Sequence, residues 1–533
     1  MQRKISYHAI LFSAWLFFVH TLSAQNQNLY CGVSDEWLYT IKQTSDNNLL
    51  MIGATYSFGA GNSDILVIKT DKDGDTLWTK IFGGLSIEYG YDAVQMNDGG
   101  YLLCGQSASW NGGGNYDSYL IRINSSGDTL WTADYGGLDD EGIYAAAELT
   151  PGGNIIAAGF TETYGAGNND IYVLKTDASG NLLWTKTFGG AADDNLHSMI
   201  RTSDGGLLLV GSTLSFGAGI YDALVIKMDT SGNLLWTKTF GGAGEDAVYS
   251  VVETPGGNFI LSGSTTFGAG NYDAWLVAID ASGSLLWNKT YGGAAGYEEG
   301  NYIVSAPGGN YIAAGKTGSF GAGNDDVFLF NVDSTGNLRW SKAIGGVFNE
   351  PGYGITFITF DNSFALCGQT FSFGPGIGFN SNATFIKTDT AGNGTCHTIA
   401  PNVLVSNPVI TEGAPALQTG TGGNQLPTNT QVVSGLSVLD PCAPTGMENI
   451  LTENFVTVYP NPFQYEATVS IFNLLKSESK FFLYDVLGRE VIYFKMENSS
   501  EKIQRGKLES GIYFYKVING DGIVGDGKLV IND

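Results

Sequence analysis

The stretch SGNLLWTKTFGGA occurs twice without change, at Ser179–Ala191 and at Ser231–Ala243. Its tryptophan belongs to a series that recurs every 51 to 53 residues: Trp78, Trp131, Trp184, Trp236, Trp287 and Trp340. An aspartate series keeps nearly the same step: Asp64, Asp117, Asp170, Asp222, Asp273 and Asp326. The chain therefore contains six full copies of one structural unit. A seventh copy, from Glu350 to Cys396, lacks the tryptophan segment.

Each copy contains four short apolar runs that are divided by turn residues. In the second copy the breaks are NDGG, ASWNGGGNYD and SSGD. No part of a copy has helical periodicity, and four strands in about 52 residues are the content of one β-propeller blade. A blade packs between two neighbours, which explains strands that are apolar on both faces. We therefore predict an all-β fold in which residues 25–396 form a propeller of seven four-stranded blades, and the six tryptophans pack one blade against the next.

The composition excludes some functions and predicts export. The formal net charge of -26 is opposite to what binding to the phosphates of a nucleic acid requires. Residues 1–24 combine Arg3 and Lys4 with an apolar run and the small-residue cleavage site Leu22-Ser23-Ala24, which predicts a secretory signal peptide. No later run of eighteen apolar residues occurs, so we predict no transmembrane segment. We expect the mature protein to be a monomer.

The repeat resembles a known family. The order YDSYLIRINSSGDTLWTADYGG, followed by AELTPGGNIIAAGFT, is similar to the SBBP-type β-propeller repeat of bacterial surface and secreted proteins. The resemblance covers about residues 36–396. It implies the propeller fold but no particular ligand or reaction.

The ends of the repeat region suggest how the ring closes. The second copy is preceded by IFGG, the end of the outermost strand of the first copy, and Leu29-Tyr30-Cys31-Gly32 stands at the same place before the first copy. This segment could therefore supply the outermost strand that the seventh copy lacks. Cys31 and Cys396 would then lie close together, and a disulfide between them is the preferred hypothesis; Cys396 with Cys442 is the alternative. Cys104 and Cys367 occupy one strand position in two blades that are not neighbours, so we expect buried free thiols.

The chain changes character after the repeats. Residues 397–454 are rich in Pro, Gly, Thr and Asn, which is typical of an extended linker. Residues 455–533 contain short alternating strands that are divided by turns, which predicts a small Ig-like β-sandwich.

This last module is similar to the C-terminal sorting domain of the type IX secretion system of Bacteroidota. The blocks that carry the resemblance are YPNPF, LYDVLGR, GIYFYKV and GKLVI. Their motif residues are Tyr459, Pro460, Asn461, Pro462, Phe463, Asp485, Gly488, Arg489, Gly511 and Lys528. The resemblance implies recognition by the type IX translocon and sortase, passage through the periplasm, and a product that is released or attached to the outer-membrane surface.

The sequence contains no catalytic motif. His197 occupies the repeated strand position of Tyr91 and Tyr144, and His397 lies in the linker. GxSxG, HExxH and the full phosphate-loop pattern GxxxxGKS/T are absent from the sequence, so we assign no catalytic residue and no cofactor. Acidic residues recur at the loops between blades, and these carry a weak calcium hypothesis: Asp139, Asp140, Glu141, Asp193, Asp194, Glu245 and Asp246. Solvated acidic loops explain the same pattern.

Three functions fit these features. The leading hypothesis is a non-enzymatic secreted or surface scaffold that binds a glycan, a polymer or a protein through loop aromatics such as Trp110, Tyr116, Tyr164 and Tyr221. The alternatives are a polysaccharide hydrolase or lyase that uses carboxylates of the loop face, and a purely structural envelope protein.

Overall fold

The computed structural model describes residues 27–110, 114–149, 152–394, 397–415, 417–420, 424–426, 431–433, 437–439, 455–459, 463–472, 479–485, 489–496, 500–519 and 522–532. The predicted signal peptide therefore lies outside the described residues. Within them the chain forms 42 strands and one short 3₁₀ turn, Pro307–Gly309. No helix in this part of the chain is long and apolar enough to cross a membrane.

Seven antiparallel sheets form the propeller, which confirms the predicted fold class. The innermost strands of successive blades contact one another around the ring, and those of the first and last blades also meet. The first strand, β1, spans Gln27–Cys31 and precedes blade 1. Blade 1 contains β2 (Glu36–Gln43), β3 (Leu49–Thr55), β4 (Asp64–Thr70) and β5 (Thr76–Gly83), and blade 2 contains β6 (Glu88–Gln95), β7 (Tyr101–Ser107), β8 (Asp117–Ile123) and β9 (Thr129–Gly136). Blade 3 contains β10 (Glu141–Leu149), β11 (Asn154–Thr161), β12 (Asp170–Thr176) and β13 (Leu182–Gly189), and blade 4 contains β14 (Asp194–Arg201), β15 (Leu207–Thr213), β16 (Asp222–Met228) and β17 (Leu234–Gly241). Blade 5 contains β18 (Asp246–Glu253), β19 (Phe259–Thr265), β20 (Asp273–Ile279) and β21 (Leu285–Gly292). Blade 6 contains β22 (Glu298–Ala306), β23 (Asn310–Thr317), β24 (Asp326–Val332) and β25 (Leu338–Ile344). Blade 7 contains β26 (Gly352–Ile358), β27 (Ser363–Thr370) and β28 (Asn382–Thr388).

The N-terminal strand closes the ring. β1 pairs antiparallel with β28, with Leu29 opposite Thr384, and so becomes the fourth strand of blade 7. The two ends of the propeller chain are thereby joined in one sheet. Cys104 and Cys367 are buried free thiols, as expected, and Cys31 is buried as well. Cys396 and Cys442 lie outside the described residues, and a disulfide between Cys31 and Cys396 stays a prediction.

The tryptophan series lies between blades. Trp184 packs against a cluster that joins blades 3 and 4, and Trp236 packs against the cluster of blades 4 and 5. Each tryptophan also contacts the turn of the following blade: the indole N–H of Trp131 donates to the Ala178 carbonyl at 3.1 Å, and that of Trp287 to Ser334 at 3.2 Å. These rings are half-buried at the rim of the propeller rather than in its interior.

The segment predicted to be a linker is a belt around the propeller. Seven short strands add a fifth strand to every blade, in the order blade 6, 5, 4, 3, 2, 1 and 7. They are β29 (Thr398–Ile399), β30 (Leu404–Ser406), β31 (Thr411–Gly413), β32 (Gln418–Gly420), β33 (Asn424–Leu426), β34 (Gln431–Val433) and β35 (Ser437–Leu439). Each covers the exposed edge of an outermost strand, as Glu412 does opposite Phe240. The linker prediction is therefore wrong for these residues, because unpaired backbone groups on each blade edge are available to pair with extended chain.

The C-terminal module is a sandwich of two sheets. One contains β36 (Phe455–Tyr459), β37 (Glu466–Phe472) and β40 (Ser500–Gln504). The other has the order β39 (Glu490–Met496), β38 (Ser479–Tyr484), β41 (Gly511–Asn519), β42 (Gly522–Ile531). Its core includes Ala467, Val469, Phe481, Leu483 and Val517.

Candidate functional site

A ring of seven side chains lines the central channel. In every blade the pairing of the first and second strands shifts by one residue, so one residue of the innermost strand is bulged. A bulge redirects its side chain, and here all seven bulged residues line one cavity of about 270 Å³. They are Tyr39, Tyr91, Tyr144, His197, Tyr249, Asn301 and Tyr353.

The rings of this set contact one another around the channel. The centroid of Tyr39 lies 5.4 Å from that of Tyr91 and 5.6 Å from that of Tyr353, and Tyr91 lies 4.9 Å from Tyr144. Burial raises the pKa of Tyr144 and of Tyr353 to about 12, the latter with a smaller contribution from nearby carboxylates. These phenols are therefore neutral at physiological pH and can each donate a hydrogen bond.

His197 completes this wall of the channel. Its ring lies 5.1 Å from Tyr249, and its Nε2 is 3.4 Å from the Ser212 hydroxyl. Burial lowers its pKa to about 4, so the imidazole is neutral above mildly acidic pH. The structure thus places His197 at the tyrosine position, as its sequence spacing predicts.

Charged residues lie at the end of the channel that is nearer the tight turns. Lys42 of blade 1 forms an ion pair with Asp92 of blade 2 at 3.2 Å and donates to the Tyr302 hydroxyl of blade 6 at 2.5 Å. Burial lowers the pKa of the Lys42 ammonium, but the charge of Asp92 and the contact with Tyr302 outweigh this effect and raise it. We call the channel, together with its end on the loop face, the cup.

The mouth of the cup differs from blade to blade. The residue two positions before each bulge is Trp37, Tyr89, Gly142, Asn195, Ala247, Glu299 or Pro351. On blades 1 and 2 the aromatic members form an arc in which Trp37 lies 5.4 Å from Tyr56 and 6.5 Å from Tyr89, and Tyr89 lies 6.1 Å from Tyr116. The hydroxyls of Tyr56 and Tyr89 are 2.7 Å apart. We call these four residues the aromatic arc.

The opposite side of the mouth is polar. Glu299 pairs with Lys316 at 3.3 Å, and Tyr272 donates its hydroxyl to Glu245. A second cavity of about 250 Å³ lies here; it shares His197 and Tyr249 with the channel and also includes Tyr221. Of the four loop aromatics that the sequence singles out, Tyr116 and Tyr221 thus belong to the site. Trp110 packs into the interface of blades 1 and 2, and the hydroxyl of Tyr164 donates to the Gly136 carbonyl.

The recurrent carboxylates fasten loops. An acidic residue at the start of each innermost strand, or two residues before it in blade 7, is buried and accepts a hydrogen bond at 2.5–2.8 Å from a glycine N–H of the preceding loop. These residues are Glu36, Glu88, Glu141, Asp194, Asp246, Glu298 and Glu350. Of the other calcium candidates, Asp140 accepts the Tyr116 N–H at 2.8 Å, and Asp139 and Asp193 lie in the same loops. In the described part of the chain no three His, Cys, Asp or Glu side chains are arranged to hold a metal ion. Calcium binding stays a prediction.

The aspartate series faces these carboxylates. Asp64 accepts the Gly61 N–H at 3.1 Å, and a Cβ on Gly83 would lie 1.9 Å from Asp64 Oδ1 and 2.5 Å from Glu88 Oε2. Two carboxyl groups therefore converge on a position that only glycine can occupy. Burial, together with the charge of Glu88, raises the pKa of Asp64 to about 7, and burial with the charge of Glu350 raises that of Asp326 to about 6.

Asp134 is a buried acid that no sequence signal identified. Five equivalent positions carry Ile81, Thr187, Thr239, Thr290 and Ala343. Asp134 has 0% of its surface exposed, and neither carboxylate oxygen has a hydrogen-bond partner among the described residues. Burial and the charges of Asp117 and Glu88 raise its pKa well above the ordinary value.

Two family models match separate parts of the chain. Residues 116–352 match the β-propeller repeat model described as outer membrane protein assembly factor BamB, and residues 457–532 match the model described as secretion system C-terminal sorting domain. The chain is a β-propeller protein with a type IX sorting domain. This propeller protein is accordingly exported to the cell surface or the medium.

Similarity to individual proteins is low. A stretch of 350 residues is 24% identical to the regulatory protein FlaEY of Caulobacter vibrioides and covers 54% of this chain and 36% of that one. PorZ, a surface component of the type IX secretion system of Porphyromonas gingivalis, matches with 12% identity and a TM-score of 0.39 over 93% of this chain and 59% of PorZ. The extracellular domain of the two component system BT4673 from B. thetaiotaomicron matches with 11% identity and a TM-score of 0.40 over 95% of this chain and 57% of that chain. The chain thus spans about a third of the curated relative that it matches.

The sorting motif is only partly described. Phe463 is buried in the sandwich core, Asp485 accepts the Arg489 backbone N–H at 2.9 Å and its side chain at 2.7 Å, and Gly511 begins β41. Tyr459 and Lys528 lie in β36 and β42. Pro460, Asn461, Pro462 and Gly488 lie outside the described residues.

Proposed function

We propose that the propeller is a non-catalytic binding scaffold that holds a neutral saccharide, the end or a short segment of a glycan, in the mouth of the central channel. The aromatic arc is the observation that carries this proposal. A sugar ring presents C–H groups that pack on an aromatic face, and its hydroxyls need hydrogen-bond partners at the edge. Trp37 and Tyr89 supply such faces, and the phenols and Asn301 supply such partners.

The charges of the cup favour an uncharged ligand. Lys42 is paired with Asp92, and Lys316 with Glu299. A phosphate, sulfate or uronate group would have to displace a carboxylate from its cation, at the cost of leaving that carboxylate unpaired. Neutral hydroxyls and amides make no such demand.

The dimensions suit a small sugar segment. The channel cavity and the adjoining cavity have volumes of about 270 and 250 Å³ and share two residues. Together they fall in the range of about 300–1,000 Å³ that is typical of small-ligand sites. We place the sugar on the loop-face side of the Lys42–Asp92 pair, so a longer glycan would extend outward over the loop face.

The acids of the mouth support binding rather than hydrolysis. A glycosidase needs two carboxyl groups that flank the scissile bond, one of them available as the acid. Glu245 instead accepts a hydrogen bond from Tyr272, and Glu299 is held by Lys316.

A glycan array with the full mature chain tests this proposal. A retained glycan is then titrated by calorimetry against the wild type, Trp37→Ala and the control Phe379→Ala, which removes an 88% exposed ring from a loop of the same face. Loss of one aromatic contact of about 1.5 kcal/mol should weaken binding roughly tenfold for Trp37→Ala and leave the control unchanged. Absence of any retained glycan, or equal losses in both variants, would contradict the proposal, and shortening of the bound glycan would make the protein a hydrolase or lyase.

A further inference from the structure

The sheet β39-β38-β41-β42 of the sorting domain has an apolar outer face. Side chains alternate along these strands: Phe481 and Val517 point into the core, while Tyr493, Ile512 and Phe514 are 47%, 45% and 49% exposed. The rings of Phe482 and Tyr493 are neighbours on the outer side, with centroids 5.1 Å apart. Large exposed apolar groups that are grouped in this way mark surfaces that bind a partner.

Lysines share this outer face. Lys480 lies opposite Lys495 in the pairing of β38 with β39, and Lys516 lies opposite Phe482 in the pairing of β38 with β41. Because side chains alternate along a strand, all three lysines lie on the same side of the sheet as Tyr493 and Phe514, and each lysine is at least partly exposed. The outer face therefore combines positive charge with aromatic surface. We call Lys480, Phe482, Tyr493, Lys495, Ile512, Phe514 and Lys516 the lysine–aromatic face.

The rest of the chain has a different charge. Residues 455–533 contain nine Lys and Arg and ten Asp and Glu, a net charge of -1, so the other 454 residues carry -26 minus -1, which is -25. A positive apolar face thus occurs in a nearly neutral domain that is joined to a strongly acidic one. Its charge complements an acidic partner, and like charge does not oppose the approach of such a partner to this face.

The described side chains on the outer side of the other sheet are polar. On its outer side Lys502 pairs with Glu466 at 2.6 Å, and Gln504 donates to the same carboxylate at 2.7 Å. These polar groups satisfy one another and need no partner. One sheet of the sorting domain is thus built for solvent, and the other for contact.

We infer that the lysine–aromatic face is the surface on which the sorting domain docks against an acidic, partly apolar protein surface of the export machinery. Covering Tyr493, Ile512 and Phe514 would remove roughly 200 Å² or more of apolar surface from water, and the lysines would pair with carboxylates of the partner. An anionic lipid surface also attracts lysines and aromatic rings. The machinery is the partner that this domain must contact, because residues 457–532 match a secretion-system sorting domain.

The test is export of the full chain, with both signals intact, from a bacterium that carries a type IX system. The variants are Phe514→Ser and the double variant Lys480→Glu/Lys516→Glu. The matched control is Lys502→Glu on the other sheet. We expect each face variant to lower the secreted fraction at least tenfold and to leave a full-length chain in the periplasm, and the control to be secreted normally.

A change of folding is separated from a change of docking by the double variant, whose exposed positions contribute little to the core. Resistance of its sorting domain to protease should equal that of the wild type. Normal secretion of both face variants would overturn the inference. A second result would also overturn it. If the purified wild-type chain binds vesicles of anionic phospholipid, and the double variant loses this binding but is secreted normally, the face binds a lipid rather than the export machinery.

Discussion

Replacing Asp134 with threonine should stabilise the propeller, and the gain should grow with pH. Threonine occupies the equivalent position of blades 3, 4 and 5, at Thr187, Thr239 and Thr290. The outermost strand of a blade therefore accommodates threonine at this position. The Asp134 carboxyl is fully buried without a partner, opposite Tyr119 on β8 and Leu426 on the belt, and near Asp117 and Glu88.

The size of the effect follows from proton linkage. The pKa of Asp134 lies at 3.8 when exposed and far above that value in the folded protein, so folding takes up a proton between these two values. Stability then falls as the pH rises above about 4, by about 1.4 kcal/mol for each pH unit over which the buried carboxyl stays protonated. Acid pairs that do not act on Asp134, such as Asp326 with Glu350, are present in both proteins, and their contributions cancel in the difference.

Urea unfolding at pH 5, 6, 7 and 8 measures this difference. Of the ten tryptophans, Trp15 lies in the predicted signal peptide and the other nine lie in the propeller, so the fluorescence of the mature chain reports the propeller alone. Thr187→Asp is the reverse experiment in blade 3 and should destabilise at pH 7 by a similar amount. Parallel stability curves for the wild type and Asp134→Thr, or a less stable variant at pH 8, would refute the reasoning.

Three further outcomes are expected. Deleting Thr398–Leu439 removes the fifth strand of every blade and leaves seven strand edges unpaired. The deletion should therefore lower the melting temperature by about 10 °C or more and cause the protein to associate, as measured by light scattering. A monomer with an unchanged melting temperature would contradict a stabilising role for the belt. Cys104 and Cys367, whose pKa values burial raises, should not react with a thiol reagent at pH 8 in the native protein and should react in urea; rapid native reaction would contradict their burial. Burial lowers the pKa of His197 to about 4, so the wild type should lose stability as the pH falls from 6.5 toward 4, because the unfolded chain then binds a proton that the folded protein does not. The variant His197→Tyr should not show this loss. Identical acid unfolding of both proteins would contradict this prediction.

The sequence predicts the blades well because each repeated residue has a repeated environment. Trp184 and Trp236 recur since each packs one blade against the next, and Asp64 recurs since each blade needs the same loop fastened. The closing strand was also visible, because Leu29–Cys31 stands where a fourth strand precedes the other copies.

The belt was missed because its strands are very short. Three residues such as Leu404–Ser406 do not form a periodic apolar run, and the Pro, Gly and Asn residues between them are typical of a linker. The available signal was the spacing: strand starts at 398, 404, 411, 418, 424, 431 and 437 advance by six or seven residues for each blade.

The channel mouth could not be read from the repeats for the opposite reason. Trp37 and Tyr89 share their strand position with Gly142, Asn195, Ala247, Glu299 and Pro351, so an alignment of the copies shows variation there rather than a site. The spacing identified His197 as a member of the tyrosine series, but only the bulge in strand pairing turns that series into the channel.

A crystal structure of the full mature chain with a glycan retained on the array tests the central claim most directly. We predict a sugar ring packed on Trp37 and Tyr89, with its hydroxyls bonded to the tyrosines of the channel and the Lys42–Asp92 pair intact beneath it. A glycan bound at the outer rim, on the belt or on the face of the tight turns, with the channel mouth unoccupied, would contradict the account.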